Sequence, residues 1–304
     1  MSRGKALTIT YLVKTTLASL NGSDKEADNI SSIKKITKGA EQYPYGSAQW
    51  VRMALRDQLG VLGWNLSEGV AATIAKGAST TRQEPDNYID DDLFGFMGTE
   101  KGSNNEKGSA FKRTSPVRVT PLVSLNRYEG DLDFGTNYMG VEAGGDPNIF
   151  ETEIHGGIYR GTILIELDRV GCGEGFKDEN GLLPEERAKR VKALLSALKN
   201  LWSTGRQTRF LADIAPKFVA AAYMSVKNPI FLESVKVINE KVCLELIKEA
   251  LDDYQDVVLD YVVGSRRDFI ENNVNVIDVI SIGEAFNKMM QWVDDYYEGI
   301  KGDD

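Results

Sequence analysis

The residue pattern specifies an α+β domain on the ferredoxin-like plan, with two long insertions and a helical C-terminal addition. Three observations lead there. The apolar periodicities run strand, helix, strand, strand, helix, strand, which is the split βαβ order. Two stretches rich in Gly, Ser, Asn and Asp interrupt that order, one before the second strand and one inside the middle hairpin. Beyond the sixth element the pattern continues as helix, strand, helix with no linker, so the 304 residues read as one elaborated domain.

Leu7, Ile9, Tyr11 and Val13 alternate with Thr8, Thr10, Leu12 and Lys14, giving a strand with one apolar face. Ser19 to Glu41 reads as a polar loop containing Asn21, Gly22, Asp24 and Asp28. Ser47 caps a helix to about Leu59, with Trp50, Val51, Ala54 and Leu55 on one face and Gln49, Arg52 and Arg56 opposite. Thr73 to Ser115 lacks periodicity. Val117 to Leu125 is the second strand, with Pro121 at an edge or bulge, and Asn126 to Gly157 is the second insertion. Ile158 to Asp168 is the third strand. Pro184 opens a helix to Trp202 whose core side is Val191, Leu194, Leu195, Leu198 and Leu201. Phe218 to Val226 is the fourth strand. A helix from about Asn239 to Tyr254, a strand from Val257 to Val263 and a helix from about Gly283 to Glu298 complete the chain.

Composition narrows the function classes. The chain is 42% hydrophobic and 27% charged, with no apolar run long enough to span a bilayer. Its first twenty residues read as a strand, not a signal peptide. Cys172 and Cys243 read as two reduced thiols in a cytoplasmic protein. His155 is the only histidine, which excludes His-based metal clusters; beside Gly156 and Gly157 it reads as a loop residue. No Walker-type phosphate loop is present, and Gly171-Cys-Gly-Glu-Gly-Phe176 reads as a plain turn. Asp90, Asp91 and Asp92 lack a metal-ligand pattern and read as a solvated acidic loop. The expectation is therefore no catalytic residue, no metal and no cofactor.

The net charge of −9 is unevenly spread. Residues 1–65 carry nine Lys or Arg against five Asp or Glu, and residues 233–304 carry seven against seventeen. Between Lys107 and Arg127 there are five basic residues and no acidic one. Binding responds to local potential, so basic surfaces coexist with an acidic total. Ser47, Gln49, Arg52 and Arg56 form one set of phosphate donors, although a solvated helix face would also account for the arginines. Lys112, Arg113 and Arg118 lie beside Thr114, Ser115 and Thr120, and Gly205-Arg-Gln-Thr-Arg209 adds a third basic turn through Arg206 and Arg209. Together they point to a sequence-independent grip on RNA.

These segments resemble the backbone subunit of type I CRISPR effector complexes, in the DevR-like autoregulator branch of the RAMP superfamily usually assigned to type I-B. The likeness lies in Tyr11-Leu-Val13 through Asn21, Tyr43 to Asp57, Arg113 to Thr136 with its Ser-Leu-Asn-Arg-Tyr-Glu-Gly-Asp-Leu-Asp-Phe-Gly-Thr core, and Tyr159-Arg-Gly-Thr162. It implies an RNA-recognition-like palm (1–64, 116–125 and 158–304), a finger insertion (65–115) and a thumb hairpin (126–157). It implies copies stacked head to tail along a CRISPR RNA. Each thumb would wedge between bases, and the rest of the guide would pair with target DNA. Further partners would be the guide 5′-end capping subunit, the large subunit and the processing endonuclease. Asn21, in the loop after the first strand, joins the implied RNA-contacting set with Lys14 and Arg160, and Phe134, Tyr138 and Met139 are the thumb-wedge candidates. Two alternatives stay open: a type III-like ribonuclease using Asp24 or Asp28, and a stand-alone RNA-binding autoregulator.

Overall fold

The computed structural model describes residues 5–22, 30–73, 78–99, 110–139, 144–178, 180–202, 209–270 and 276–301. Its strands are β1 (Ala6–Ala18), β2 (Ile30–Ser31), β3 (Lys35–Lys38), β4 (Glu41–Gly46), β5 (Val70–Thr73), β6 (Ala78–Thr80), β7 (Phe96–Thr99), β8 (Ala110–Arg113), β9 (Val117–Val119), β10 (Leu122–Ser124), β11 (Asp131–Asn137), β12 (Asn148–Glu166), β13 (Phe218–Met224), β14 (Val237–Ile238), β15 (Lys241–Val242), β16 (Val258–Ser265) and β17 (Val279–Ile280). Its helices are α1 (Ala48–Val61), α2 (Ile89–Phe94), α3 (Pro184–Lys199), α4 (Leu244–Asp253) and α5 (Ile282–Lys301).

One sheet organises the fold in the order β17-β16-β13-β1-β12-β10-β4-β3, and β2, β9 and β11 also pair with β12. At its centre β13, β1, β12 and the β9/β10 pair run antiparallel as fourth, first, third and second strands, with α1 and α3 as crossovers. This is the ferredoxin-like plan. Thr120 and Pro121 break the second strand in two, because proline has no N–H to give the ladder.

The apolar face of β1 packs under three helices. Leu7, Ile9, Tyr11 and Val13 meet Val51, Leu55 and Leu59 of α1, Val191, Leu194 and Leu198 of α3, and Phe286, Met289 and Val293 of α5. The other face is not open either. Leu12, Ala220, Ala222 and Met224 are covered by Phe231 and by Leu244, Ile247 and Leu251 of α4. Thr8 and Thr10 look like a solvent face in the sequence but are buried, and the Thr10 and Thr162 hydroxyls bond each other at 2.8 Å. That mutual bond offsets much of the cost of burying the Thr10 and Thr162 hydroxyls, whereas Thr8 Oγ1 is buried without a partner among the described residues. The Tyr297 hydroxyl donates to the Leu167 carbonyl at 2.8 Å, so α5 belongs to the same core.

Four expectations need correction. The polar loop 19–41 contains β2 and β3, and β3 closes a hairpin onto β4. The third strand begins at Asn148, so β12 is shared between sheet and hairpin insertion. The helix expected from Asn239 begins at Leu244, because Asn239 and Glu240 turn a β14–β15 hairpin. His155 lies within β12 and is buried; its Nε2 is 3.2 Å from Ser124 Oγ.

The largest correction concerns Asp90, Asp91 and Asp92, which are buried in α2 instead of solvated. Each fixes a different neighbour. Asp90 Oδ2 accepts from Arg56 Nε at 2.7 Å, and Oδ1 accepts from the Ser67 N–H at 2.9 Å. Asp91 Oδ2 accepts from the Glu84 N–H at 3.0 Å. Asp92 accepts from Arg113 Nη2, from Arg190 Nη1 at 2.8 Å and from the Gly171 N–H at 3.1 Å. A six-residue helix with no hydrophobic periodicity thus bolts the first insertion to α1, α3 and the 171–176 turn.

Candidate nucleic-acid interface

The sequence-predicted RNA residues divide by burial and partnership. Gly46 ends β4 and Ser47 caps α1, its Oγ accepting from the Trp50 N–H at 3.2 Å. A Cβ on Gly46 would stand 2.5 Å from the Trp50 ring, so glycine lets the indole lie against the strand end. Asn21 Oδ1 accepts from the Ser47 N–H at 2.9 Å. Asn21 therefore holds the start of α1 in place, three residues beyond β1. The Lys34 N–H donates to the Asn21 carbonyl and the Tyr45 N–H to the Lys34 carbonyl, both at 2.9 Å, which brings Lys34 to the same corner.

On α1, Gln49 is exposed and Arg52 half-buried. Among the described residues no hydrogen bond or ion pair takes the Arg52 guanidinium, and its Nε is buried without a partner. Arg56, one turn on, is committed to Asp90 and to the Ser67 carbonyl. Its expected role in gripping RNA gives way to a structural one, since releasing it would strand a buried carboxylate.

Arg113 is a clear correction. Its side chain is 0% exposed, and its donors go to Asp92 and to the carbonyls of Arg169, Cys172 and Glu174. It orders the 171–176 turn and stacks on Phe176 at 4.7 Å, so it cannot meet RNA. Lys112 beside it is exposed. Arg118 is exposed but paired with Glu166 at 2.6 Å. Arg160 donates to the Val235 carbonyl at 3.0 Å and pairs with Glu233 at 3.3 Å; Lys14 pairs with Glu240 at 3.2 Å. Arg209 lies over the Phe150 ring at 4.6 Å and bonds Asp133 and Thr152, which braces the hairpin root. Arg206, Asp24 and Asp28 lie outside the described residues.

The hairpin of β11 with the first half of β12 carries the wedge candidates. Phe134 is 61% exposed on a strand face with Leu132 and Ile149, and Tyr138 and Met139 (60% and 89%) follow the end of β11. Its root is tied to the α1 corner. The Ile158 N–H donates to Asn126 Oδ1 at 2.8 Å, and β10, which ends two residues before Asn126, pairs Leu122 with Gly46. Glu153 accepts from the Ile33 N–H at 2.8 Å and from Lys35 at 2.6 Å, joining residues 30–46 to the hairpin. Start of α1 and hairpin root therefore occupy one end of the sheet.

A cleft of about 480 Å³ opens at that root between Glu41, Tyr43, Arg127, Glu129, Asp131 and His155. Three carboxylates against one guanidinium make it unfit for phosphate. Burial pushes the His155 imidazole below its usual range, against an upward pull from Glu129 and Asp131. Among the described residues no three His, Cys, Asp or Glu side chains gather in a metal-holding group. Sequence reasoning missed Lys34, whose ammonium has no partner among the described residues; only the Lys34-Lys35 pair signals it, and the pairing that places it is long-range.

Two sequence matches, one solved structure and a family model give this geometry a context. A CRISPR-associated protein Cas7/Cst2/DevR from Myxococcus xanthus (strain DK1622) is 29% identical over 209 residues, 63% of each chain. The chain thus spans under two thirds of that relative. Histidine--tRNA ligase from Clostridium botulinum (strain Kyoto / Type A2) is 24% identical over 204 residues, 63% of this chain and 41% of that one. A solved chain of a "CRISPR RNA-guided surveillance complex, pre-nicking" shares the fold at a TM-score of 0.61, with 14% identity, over 95% of this chain and 99% of that one. The family model for CRISPR-associated negative auto-regulator DevR/Csa2 matches residues 9–244, most of the 304-residue chain. This chain belongs to the CRISPR-associated negative auto-regulator DevR/Csa2 family.

Proposed function

We propose that this chain is a non-catalytic, CRISPR RNA-binding backbone subunit of a type I effector complex. Copies of it would line the guide and present it for pairing with target DNA. One observation carries the reading. Arg52 and Lys34 at the α1 corner, without a partner among the described residues, share one end of the sheet with a hairpin that carries exposed Tyr138 and Met139. Cations without sequence-reading partners suit phosphates, and exposed apolar side chains suit insertion between bases. Both sheet faces at the centre are covered, so binding in the manner of an open-faced RNA-recognition domain has no surface there. The Myxococcus relative and the surveillance-complex chain support the same reading by name and by fold. The complex would work in the cytoplasm with the capping, large and processing subunits, directing either antiviral cleavage or transposition.

The family's description as a negative auto-regulator favours a second reading, a stand-alone RNA-binding regulator. Co-expression with a CRISPR array and the neighbouring genes separates the two. The scaffold reading expects a large particle holding guide-length RNA and several copies of the chain. A discrete monomer or dimer on RNA would favour the regulator, and an RNA-free species would refute both. Met139→Ala with Tyr138→Ala should leave the thermal melt unchanged and erase the periodic nuclease protection of the guide.

A further inference from the structure

On the sheet face turned away from α1, Lys14 stands opposite Ile158 and Leu12 stands opposite Arg160. Lys14 and Arg160 are therefore diagonal neighbours on one face, roughly 7–8 Å apart at the backbone. One short segment lies on both of them. Glu233 pairs with Arg160 at 3.3 Å, and Glu240 pairs with Lys14 at 3.2 Å. The two glutamates are 78% and 73% exposed, and each has that cation as its described side-chain partner.

Folding does not explain Glu240. Asn239 and Glu240 form the two-residue turn between β14 and β15, with φ of +49° and +63°. Such a turn needs left-handed backbone at both places; Asn tolerates it, and glycine is the residue suited to the second place. A glutamate there is strained, and the hairpin it closes has strands of only two residues. In that place its carboxylate reaches Lys14.

We propose that residues 233–242 form an electrostatic strap over a two-cation phosphate site, with Glu233 and Glu240 standing where RNA phosphates would bind Arg160 and Lys14. The inference rests on the RNA-binding reading above and adds its regulation. Exposed ion pairs are weak, so a polyanion displaces the strap readily, whereas a short or sparse anion does not recover the loss. The strap thus biases the palm towards long nucleic acid that engages α1 as well.

The test uses the full chain and fluorescence anisotropy with two unrelated guide-length single-stranded RNAs. Glu233→Gln with Glu240→Gln should bind both RNAs tighter, by roughly two- to thirty-fold, the span of two exposed ion pairs. Adding Lys14→Met and Arg160→Met should abolish that gain. Glu245→Gln with Glu249→Gln removes the same charge from exposed α4 positions and should change affinity less than about two-fold. An equal gain in that control would assign the effect to bulk charge and overturn the strap. Unchanged affinity in the Glu233/Glu240 variant while the parent binds RNA would sink the strap alone. Binding by neither protein would sink the RNA reading with it. Glu240→Gly should also raise the melting temperature, because it relieves the turn; a fall would contradict the strain argument.

Discussion

Replacing Asp92 with Asn should cost more stability than any surface change in this chain. The Asp92 side chain is fully buried and lies between Arg113 and Arg190, which are 0% and 4% exposed. Asn keeps the shape but removes the one negative charge that both guanidiniums share. Breaking a buried ion pair by neutralising one partner typically costs about 3–5 kcal/mol. Here the lower end applies. Arg113 keeps the carbonyls of Arg169, Cys172 and Glu174, and Arg190 keeps those of Pro85 and Asp86. At about 2–4 °C per kcal/mol, a loss of about 3 kcal/mol should lower the melting temperature by about 6–12 °C. Differential scanning calorimetry of the purified chain reads this directly. Asp252→Asn is the control, since Asp252 is 61% exposed and pairs with Lys248 one helical turn away; it should shift the melt by no more than about 2 °C. Equal shifts for the two variants would mean that the buried triad does not hold the first insertion to the palm.

Four further outcomes separate the roles of individual residues. Arg52→Gln should weaken binding to unrelated RNAs equally and reduce the salt slope by about 0.7 for each phosphate it no longer neutralises, with an unchanged melt. Arg56→Gln should instead lower the melting temperature, because it strands Asp90; a loss of RNA affinity at constant stability would reverse that assignment. Gly95→Ala should destabilise severely, since Gly95 has φ +69° and an added Cβ would lie 2.3 Å from the Arg113 carbonyl oxygen; a near-native urea midpoint would refute it. His155→Gln should flatten the fall in melting temperature between about pH 7 and pH 5. A folded-state imidazole held below its unfolded value near 6.5 contributes stability above that value and loses it as the pH drops through the folded one. Parallel pH profiles for parent and variant would place the acid sensitivity elsewhere, with Glu166 next to be tested. Burial raises the Glu166 carboxyl, but Lys227, Arg118 and Arg169 more than offset it and hold it low.

The palm was legible because its elements follow local rules. The alternation of Leu7, Ile9, Tyr11 and Val13, the Ser47 cap and the Pro184 helix start each depend on residues within a few positions. What escaped notice was tertiary. Nothing near Thr8 and Thr10 announces that α4 and its neighbours cover them, and β3 pairs with β4 without an apolar stripe to mark it. Asp90, Asp91 and Asp92 look like solvated acid because their partners Arg56, Arg113 and Arg190 lie 34, 21 and 98 residues away.

The same separation explains why counting cations overstates a binding surface in this chain. The acid-free stretch from Lys107 to Arg127 looks like the richest site, yet its first arginine, Arg113, is fully buried. A guanidinium offers five donors in a fixed plane, which suits gathering several carbonyls into a tight turn as well as it suits phosphate. Which use prevails depends on whether a carboxylate reaches it in the folded chain. Asp92 reaches Arg113, Asp90 reaches Arg56, Glu233 reaches Arg160 and Glu240 reaches Lys14. The first two pairs are buried on at least one side and belong to the architecture. The last two are exposed on the acid side, so an incoming polyanion can contest them. Arg52 and Lys34, with no such partner among the described residues, are where binding should begin. An acidic protein can offer cations to RNA in this arrangement because many of its acids are spent on particular cations, while Arg52 and Lys34, without a partner among the described residues, share one corner.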